Sequence, residues 1–527
     1  MLVDSLVAHG IDRVFCVPGE SYLGLLDALY RRPDIDTVVC RHESGAGFMA
    51  LADARLTNRP GIACVSRGPG ASNAAIAVHT AQQDAVPFLL LVGQVAARDL
   101  RRDAFQEIDY RQMFGAIAKW AIEVADPARI QEAMLRALQV ATTGTPGPVV
   151  VVLPEDVLTA STQALPARPQ SPVRAAATGA DIALLREWLQ QARRPIVLAG
   201  SALQLHVDGL QRFAETWSLP VLVSFRRQDL FDNSHPNYAG AMALANPAQQ
   251  MALFHEADLV VAFGARLSDI TTQGYAFPAP GQRLVHVHAD AAAIGTHFPT
   301  DLALACDPAS LLDQIGEPAL APDRADWIGR LHAEHRRQAA PGSRRADDGV
   351  AFERVVEIVG RTLPEAGILT LDAGTFAAPA YRIIPFRPPQ RLLAPIAGAM
   401  GFGVPAAVAA GLRHPERTVV CLVGDGGFLM TGNELAVALE RGLSLKVIVS
   451  DNRSYGSIRI NQERQFPGRV SGTSLTNPDF MLIGQAFGMP STRISSEADL
   501  AILPSLLQAP GPAFIVVDTS LAAVLPA

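Results

Sequence analysis

The chain has 527 residues, of which 49% are hydrophobic and 18% are charged, and its formal net charge is -7 at pH 7. This length and composition predict about three globular domains, each with a sizeable apolar core. The acidic balance without a basic stripe gives no reason to expect a nucleic-acid-binding protein. No apolar run is long enough to cross a bilayer, so we expect a soluble, cytoplasmic protein.

The first chemically suggestive residue in chain order is Glu43. Residues 37–40 form a short β-branched run, and the following segment, RHESGAGFMALADA, places Glu43 at the strand exit and at the start of a small-residue helix. Taken alone, an acid in a first helical turn is more often a surface residue that stabilises the helix dipole. The alternative is a catalytic acid in an apolar pocket, where desolvation would raise its pKa.

Glycine-containing loops follow three other predicted strands of the N-terminal region. They read FCVPGES at residues 15–21, SRGPGASN at 66–73 and GQV at 93–95. A fourth segment, DAFQE at residues 103–107, either lines a site or is an ordinary amphipathic turn.

Two segments without strand or helix patterns divide the chain. Residues 165–178 and 317–349 are rich in Pro, Ala or Arg and are predicted to be connections. We therefore expect domains at 1–165, 179–320 and 350–527. Four strand candidates, PIVLAG, PVLVSF, LVVAFGAR and RLVHVHAD, give the middle domain a Rossmann-like pattern.

The C-terminal domain contains a strand, helix, strand pattern. Residues 418–423 form a β-branched run that ends in Gly-Asp-Gly-Gly, a helical pattern follows at 433–441, and a second strand is predicted at 443–450. A crossover of this length joins parallel strands, so Asp425 and Asn452 are predicted to leave the same, carboxyl edge of the sheet.

The side chains at that edge suit a hard cation. Asp425 and Asn452 offer oxygen ligands without a nearby Cys or His, which favours magnesium or calcium over zinc. Gly424, Gly426 and Gly427 would let backbone N–H groups approach a phosphate that completes the metal coordination. The alternative is a simple turn, in which Asp425 caps the helix and the glycines shape the bend.

The whole pattern resembles the thiamine diphosphate signature, GDG followed some two dozen residues later by Asn. The usual Asn-Asn pair of that signature is Asp451-Asn452 here. The RHESGAGFMALADA and DAFQE segments resemble the acetolactate synthase large subunits within this superfamily. The resemblance covers essentially the whole chain and implies an α/β fold of three Rossmann-like open parallel-sheet domains, which are pyrimidine-binding, middle and diphosphate-binding in that order.

The resemblance also implies roles for individual residues. Magnesium would be bound by Asp425, Asn452 and the main-chain oxygen of Ser454, and the catalytic residues would be Glu43, Gln106 and Met400, with Glu43 bonded to N1′ of the aminopyrimidine. Met400 would lie beneath the cofactor and enforce its bent shape. The full set of implied cofactor-binding residues is Glu43, Pro69, Asn73, Gly374, Thr375, Met400, Gly424, Asp425, Gly426, Gly427, Asn452, Ser454, Tyr455 and Gly456.

The sequence departs from the synthase pattern at positions that concern substrate and flavin. GARLSD at 264–269 stands where the synthases carry GARFDDR, so the arginine that orients their second substrate is missing, and Glu155 replaces a usual Lys. The stretch YGSIRINQERQFPGR has Ser457 and Asn461 in place of the synthase Met and Trp. FAD is therefore a possible but doubtful ligand of the middle domain.

The implied activity is decarboxylation of a pyruvate-like 2-oxo acid, followed by carboligation to a second carbonyl. One alternative keeps the cofactor but acts as a non-ligating 2-oxo acid decarboxylase or a 2-hydroxyacyl lyase. A nucleotide-dependent oxidoreductase is weakened by the absence of a GxGxxG turn, and a non-catalytic binding module is disfavoured by Glu43. The resemblance further implies a homodimer or homotetramer with active sites between subunits.

Overall fold

The structure is a computed structural model that describes residues 1–170, 173–342 and 346–525. Within them the chain forms three parallel six-stranded sheets flanked by helices, which confirms the α/β fold of three open-sheet domains. Residues 171–172 and 343–345 of the two expected connections, and residues 526–527 of the expected C-terminal domain, lie outside the described part. None of the helices in the described part is long and apolar enough to traverse a lipid bilayer.

The first sheet has the strand order β2-β1-β3-β4-β6-β5. Its central strands are buried along their whole length, as expected of a parallel sheet covered by helices on both faces. The strands are β1 (Arg13–Cys16), β2 (Asp36–Val39), β3 (Gly61–Val65), β4 (Phe88–Gln94), β5 (Trp120–Glu123) and β6 (Pro148–Pro154). The helices are α1 (Leu2–Ala8), α2 (Leu23–Tyr30), α3 (Glu43–Thr57), α4 (Pro69–Asp84), α5 (Tyr110–Phe114), α6 (Ile130–Thr142) and α7 (Glu155–Thr159).

The second sheet has the order β12-β11-β10-β7-β8-β9. The strand order reverses direction between β10 and β7, which is where open α/β sheets bind ligands. The strands are β7 (Pro195–Ala199), β8 (Val221–Val223), β9 (Tyr238–Ala241), β10 (Leu259–Phe263), β11 (Arg283–Val287) and β12 (Leu302–Leu304). The helices are α8 (Gly179–Gln191), α9 (Val207–Thr216), α10 (Ala248–His255), α11 (Pro308–Gln314) and α12 (Ala325–Ala339).

The third sheet has the order β14-β13-β15-β16-β18-β17. The strands are β13 (Ile368–Leu371), β14 (Arg391–Leu393), β15 (Val419–Gly424), β16 (Leu445–Asp451), β17 (Ser491–Ile494) and β18 (Ala513–Asp518). The helices are α13 (Phe352–Thr362), α14 (Ala378–Ile383), α15 (Gly403–Arg413), α16 (Asp425–Thr431), α17 (Leu435–Glu440), α18 (Gly456–Gln465), α19 (Phe480–Ala486) and α20 (Leu503–Gln508).

The first and third domains share one apolar core. Helix α3 is buried along almost its whole length and packs against α15, with the Phe48 and Phe402 rings edge to face at 5.7 Å between centroids. The glycines and alanines of both helices leave room for this close approach. The N-terminal helix that carries Glu43 is therefore held by the C-terminal domain of the same chain.

The middle sheet contains two strands that the sequence patterns do not predict. β9 has the sequence YAGA and β12 has LAL, so neither carries the run of β-branched residues by which the other four strands are recognised. Both lie at the edges of the sheet, where short strands are common.

The chain contains two lysines, and both ammonium groups are tied to backbone carbonyls. Lys119 Nζ donates to the carbonyls of Thr143 and Thr145, each at 2.7 Å. Lys446 is buried, and its Nζ donates to the carbonyls of Ala509 and Gly511, each at 2.6 Å. Both ammonium groups are thus hydrogen-bonded to backbone carbonyls.

Candidate active site

The acidic and amide side chains of the C-terminal motif meet at one edge of the third sheet. β15 and β16 are parallel neighbours in a register that pairs Gly424 with Ser450, so the residues that follow both strands leave the sheet side by side. Helix α16 begins directly at Asp425, whereas the sequence patterns predict a glycine turn and a helix only from residue 433. Gly426 and Gly427 thus form the first helical turn, and their N–H groups belong to a helix N-terminus.

A cavity of about 210 Å³ opens at this edge. All the residues that line it belong to the C-terminal domain, and they bring together eleven of the predicted cofactor and metal residues: Gly374, Thr375, Met400, Gly424, Asp425, Gly426, Gly427, Asn452, Ser454, Tyr455 and Gly456. The other residues that line the cavity are Ala373, Phe376, Gly398, Ser450, Ser457 and Ile458. Among them, Ser457 is one of the departures from the synthase pattern in the sequence.

The cavity depends on glycines for its space. A Cβ at Gly426 would lie 2.6 Å from the Tyr455 ring and 3.4 Å from Met400 Cε. A Cβ at Gly456 would lie 2.9 Å from Thr375 Oγ1 and 3.1 Å from Asn452 Nδ2. Side chains at these two positions would fill the cavity, so the glycines keep a backbone-lined cradle open. Such a cradle at a helix N-terminus suits a phosphate group.

Asp425 is the buried carboxylate of the cavity, with 3% of its surface exposed. Its Oδ1 accepts from its neighbour Gly426 N at 2.8 Å, and its Oδ2 accepts from Asn477 Nδ2 at 2.8 Å. Burial raises the pKa of Asp425, while these two hydrogen bonds oppose the rise. A cation beside the carboxylate would compensate for the cost of burying its charge.

The turn after β16 presents the other two predicted metal ligands. Asn452 Oδ1 accepts from Ser454 N at 3.0 Å, and Arg453 between them has a left-handed φ of 52°. The Ser454 carbonyl accepts from Gly456 N at 2.8 Å, and the Ser454 hydroxyl donates to the Thr473 carbonyl at 2.9 Å. Each predicted oxygen ligand accepts a single hydrogen bond here and keeps a lone pair for a cation.

Two buried carboxylates from different domains hold the segment that carries Met400. Asp84, at the end of α4, accepts from the backbone N–H groups of Ile396 at 3.0 Å and Ala397 at 2.8 Å. Asp372, after β13, accepts from Gly401 N and Gly403 N, each at 3.0 Å. Burial raises the pKa of Asp372 to about 6 against the opposing effect of these amides. The position of Met400 is therefore set by charge-assisted hydrogen bonds on both sides.

The predicted residues of the N-terminal domain form a second cluster. Helix α3 begins at Glu43, as predicted, and His42 caps it by accepting from Ser44 N. Glu43 Oε2 accepts from Asn73 Nδ2 at 2.9 Å. Pro69 is the first residue of α4, the helix that carries Asn73.

Gln106 lies beside this cluster on an exposed loop with an unusual backbone. Its φ is 64°, and a Cβ at Gly68 would be 2.8 Å from its carbonyl oxygen, so the loop passes close over the turn before Pro69. Arg67 Nε donates to the carbonyl of Phe105 at 3.3 Å and ties the loop down. A non-glycine residue in the left-handed region is uncommon and often marks a functional loop.

Sequence reasoning missed Glu434, which braces the N-terminus of α3. This fully buried carboxylate accepts from Arg41 N, at 3.1 Å to each oxygen, and from His42 N at 2.9 Å. Burial raises the pKa of Glu434 to about 7, and the two amides oppose the rise. A Cβ at Gly45 would collide with the same carboxylate. The glycine in the first turn of α3 therefore leaves the space that Glu434 occupies.

The arginines that follow Tyr455 differ in their surroundings. Arg459 pairs with Glu463 at 3.0 Å, Arg469 lies over the Phe466 ring at 5.8 Å, and Arg464 is exposed. Tyr455, Gly456, Ser457 and Ile458 of this stretch line the cavity, whereas its three arginines do not.

A separate cavity of about 400 Å³ lies at the carboxyl edge of the middle sheet. Ser201 follows β7, Ser224 follows β8, and Arg266 and Asp269 follow β10, and all four line it. Arg227 also lines this cavity, with a buried Nε that has no hydrogen-bond partner among the described residues. Its position matches the place where a nucleotide would bind such a sheet.

Comparison with protein families matches all three domains. Residues 1–113 match the thiamine pyrophosphate enzyme N-terminal TPP binding domain, residues 182–315 match the central domain of the same family, and residues 372–517 match its C-terminal TPP binding domain.

Individual relatives extend over nearly the full chain. The acetolactate synthase isozyme 2 large subunit of Escherichia coli (strain K12) is 30% identical over 97% of this chain and 93% of its own length. The acetolactate synthase large subunit of Parasynechococcus marenigrum is 31% identical over 98% of this chain and 86% of its own. The corresponding subunit of Lactococcus lactis is 29% identical over 95% of this chain and 88% of its own. The chain belongs to the thiamine pyrophosphate enzyme family.

Proposed function

We propose that this protein decarboxylates a 2-oxo acid of the pyruvate type and ligates the remaining acyl carbon to a second carbonyl, using thiamine diphosphate and Mg²⁺. The glycine-lined cavity that gathers Asp425, Asn452 and Met400 at one sheet edge carries the proposal. The relatives named as acetolactate synthases favour ligation over simple decarboxylation.

The residues that line the cavity suit both the metal ion and the diphosphate group that it would bind. Asp425, Asn452 and the Ser454 carbonyl would hold Mg²⁺, which prefers oxygen ligands and commonly completes its shell with phosphate and water. The diphosphate would be bound by backbone N–H groups of the glycines and by the side chains beside them. These residues are Gly374, Thr375, Gly424, Gly426, Gly427, Tyr455 and Gly456. Met400 would support the cofactor between its two rings.

The bound cofactor would supply the electron sink for carbon–carbon cleavage. The chain's own residues would position and protonate it. Glu43 would exchange a proton with N1′ of the aminopyrimidine, and Asn73 would orient the Glu43 carboxylate through the 2.9 Å hydrogen bond. Pro69 would shape the pyrimidine-side wall, and Gln106 would contact the substrate from its exposed loop.

We infer that the complete site requires two copies of the chain. Glu43, Asn73, Pro69 and Gln106 form one cluster, whereas every residue that lines the C-terminal cavity belongs to the other domain. A homodimer or homotetramer in which the cluster of one subunit covers the cavity of another would unite them. A cytoplasmic location remains a prediction.

FAD is a second cofactor to test. The middle cavity of about 400 Å³ has the size of a small-molecule pocket, roughly 300–1,000 Å³. Arg227 and Arg266 give it positive charge suited to a phosphate. The GARLSD substitutions remain the argument against a flavin.

Incubation of the purified protein with pyruvate, thiamine diphosphate and Mg²⁺ tests the function. Acetolactate as the main product supports the proposal, and acetaldehyde without acetolactate supports the non-ligating alternative instead. A panel of other 2-oxo acids then defines the donor. An absorbance spectrum of the same sample shows whether a flavin band is present.

Replacing Glu43 with Gln tests the proton-transfer role. We expect turnover to fall by roughly 10²- to 10⁴-fold because the amide cannot exchange the proton. Binding of thiamine diphosphate with Mg²⁺, measured by calorimetry, should change little. Glu132→Gln, which alters an exposed acid of the same domain, is the matched control. Turnover by Glu43→Gln equal to that of the control would contradict the assignment.

A further inference from the structure

A loop residue outside the predicted motifs contacts the proposed metal site. Asn477 lies between α18 and α19, 52 residues after Asp425 in the sequence, and its Nδ2 donates to Asp425 Oδ2 at 2.8 Å. The same nitrogen donates to Asp451 Oδ1, also at 2.8 Å. One amide group therefore bridges two carboxylates.

Both bridged carboxylates are buried. Asp425 is 3% exposed and Asp451 is 7% exposed. Asp451 is the last residue of β16, where it pairs with Asp518 of β18, and its carbonyl accepts from Thr519 N. Two like charges this close repel each other unless a donor lies between them or a cation lies nearby.

The loop places Asn477 through its own contacts. The next residue, Pro478, restricts the backbone of Asn477 to extended conformations, and Asp479 caps α19 by accepting from Met481 N. Phe480 then packs edge to face against Phe428 of α16 at 5.6 Å between ring centroids. The helix that begins at Asp425 and the loop that carries Asn477 are thus packed together.

The other end of the Asn477 amide has no comparable anchor. Its Oδ1 is buried and has no hydrogen-bond partner among the described residues. The two carboxylates therefore determine the orientation of the side chain, since two acceptors attract the NH₂ group and none of the described donors holds the oxygen.

We propose that Asn477 is a positioning residue for the metal ligand Asp425 and that Asp451 helps to hold Asn477 in place. Asn477 holds one oxygen of Asp425 in place and keeps the Asp451 charge close behind it. Asp425 lines the cavity and Asp451 lies behind it, so a second carboxylate stands close to the proposed metal ligand, which favours a divalent cation. The inference rests on the proposed function, since Asp425 must be a metal ligand.

The test measures cation binding rather than turnover. Mn²⁺ is added to the apo protein in the presence of thiamine diphosphate, and free Mn²⁺ is followed by electron paramagnetic resonance. Asn477→Ala should raise the Mn²⁺ dissociation constant roughly 10- to 100-fold, as expected when a group that orients a ligand is lost. Excess Mn²⁺ should restore thiamine diphosphate binding to this variant.

Two other variants sharpen the result. Asp451→Asn removes one charge but keeps an oxygen that can accept from Asn477, so it should raise the dissociation constant by a smaller factor. Thr476→Ala changes an exposed neighbour on the same loop and should stay within about twofold of the unchanged protein.

The outcomes are distinct. The inference is wrong if both Asn477→Ala and Asp451→Asn have Mn²⁺ dissociation constants within about twofold of that of the unchanged protein. This result would leave the proposed function standing. If Asn477→Ala does not fold, Asp451→Asn decides, and an unchanged constant again overturns it. An unchanged protein that binds no Mn²⁺ with thiamine diphosphate would overturn the proposed function together with this inference.

Discussion

Single buried carboxylates hold the backbone of both halves of the site. Asp84 and Asp372 accept from four N–H groups in the segment before and after Met400. Glu434 accepts from the two N–H groups that precede Glu43. Each of these acids loses hydration on burial, and the hydrogen bonds that compensate are made to backbone next to Met400 or Glu43, the side chains with proposed roles. Loss of one carboxylate is expected to loosen that backbone.

Glu434 makes a pH-dependent contribution to stability. Burial raises its pKa from 4.5 in the unfolded chain to about 7, so the folded protein binds this proton more tightly and its stability falls as the pH rises between these values. Arg41 opposes the shift and Glu43 adds to it.

Glu434→Gln should remove this pH dependence. The Tm of the variant minus that of the unchanged protein should become more positive between pH 5 and pH 8. The change corresponds to at most about 3 kcal/mol. Thermal denaturation followed by circular dichroism at several pH values measures it. A constant difference in Tm would show that Glu434 does not titrate in this range.

Residue patterns predict the parts of the site that lie close in sequence. Asp425, Asn452 and the glycines are predicted as site residues because strand ends and glycine turns have local signatures, and the structure places them in the lining of one cavity. Glu434 and Asn477 escape prediction because their partners lie 393 and 52 positions away. A lone Glu or Asn on a helix or loop has no local pattern that distinguishes it from a solvated side chain.

Helix α3 is the element on which the N-terminal cluster depends. It is buried between α4, β3 and α15, and its small residues allow this. A Cβ at Gly47 would collide with the Cβ of Ala77 on α4, and a Cβ at Gly61 of β3 would collide with the carbonyl of Ala50. The position of Glu43 thus follows from close backbone packing rather than from helix propensity.

Gly47→Ala should lower stability although Ala is the better helix former. The gain of roughly 1 kcal/mol in helix propensity is outweighed by overpacking, which costs about 1–3 kcal/mol. Gly329→Ala is the matched control, because Gly329 is also inside a helix and has open space around its Cβ position. We expect a lower Tm for Gly47→Ala and an unchanged or higher Tm for Gly329→Ala. Equal Tm values would contradict the packing argument.

The elements themselves are largely predictable from the chain. Hydrophobic β-branched runs identify the central strands, and α3 begins at the predicted residue. The start of α16 is mispredicted because glycines usually end regular structure, whereas here they begin a helix whose neighbours leave no room for side chains. Edge strands β9 and β12 are missed because they lack the composition of buried strands.

In the part of the molecule that the structure describes, the Glu43 cluster does not line the cavity that contains Asp425, so the proposed site is divided into two halves. The domain boundaries 1–165, 179–320 and 350–527 remain predictions, while the three sheets give each half its scaffold. Glu434 holds the backbone before Glu43 within the same chain. In the proposed oligomer, the Glu43 of one chain would then reach the cavity of a neighbouring chain.

Mixed oligomers test the divided site. Glu43→Gln and Asp425→Asn chains should each be inactive alone. After the two are mixed, dissociated and reassociated in equal amounts, activity should return to roughly a quarter of the unchanged level, because half of the dimers are hybrids with one intact site of two. No recovery in a sample shown to contain hybrids would indicate that both groups act within one chain.

The carbonyl-bound lysines affect how such assemblies can be observed. Reagents that acylate primary amines need an accessible side-chain nitrogen. The chain has two lysines, of which Lys119 is exposed and Lys446 is buried with its ammonium group between two carbonyls. Amine-directed cross-linking would therefore report few side-chain links even from an intact dimer. Mass measurement by light scattering or sedimentation is the suitable way to count subunits in this arginine-rich protein.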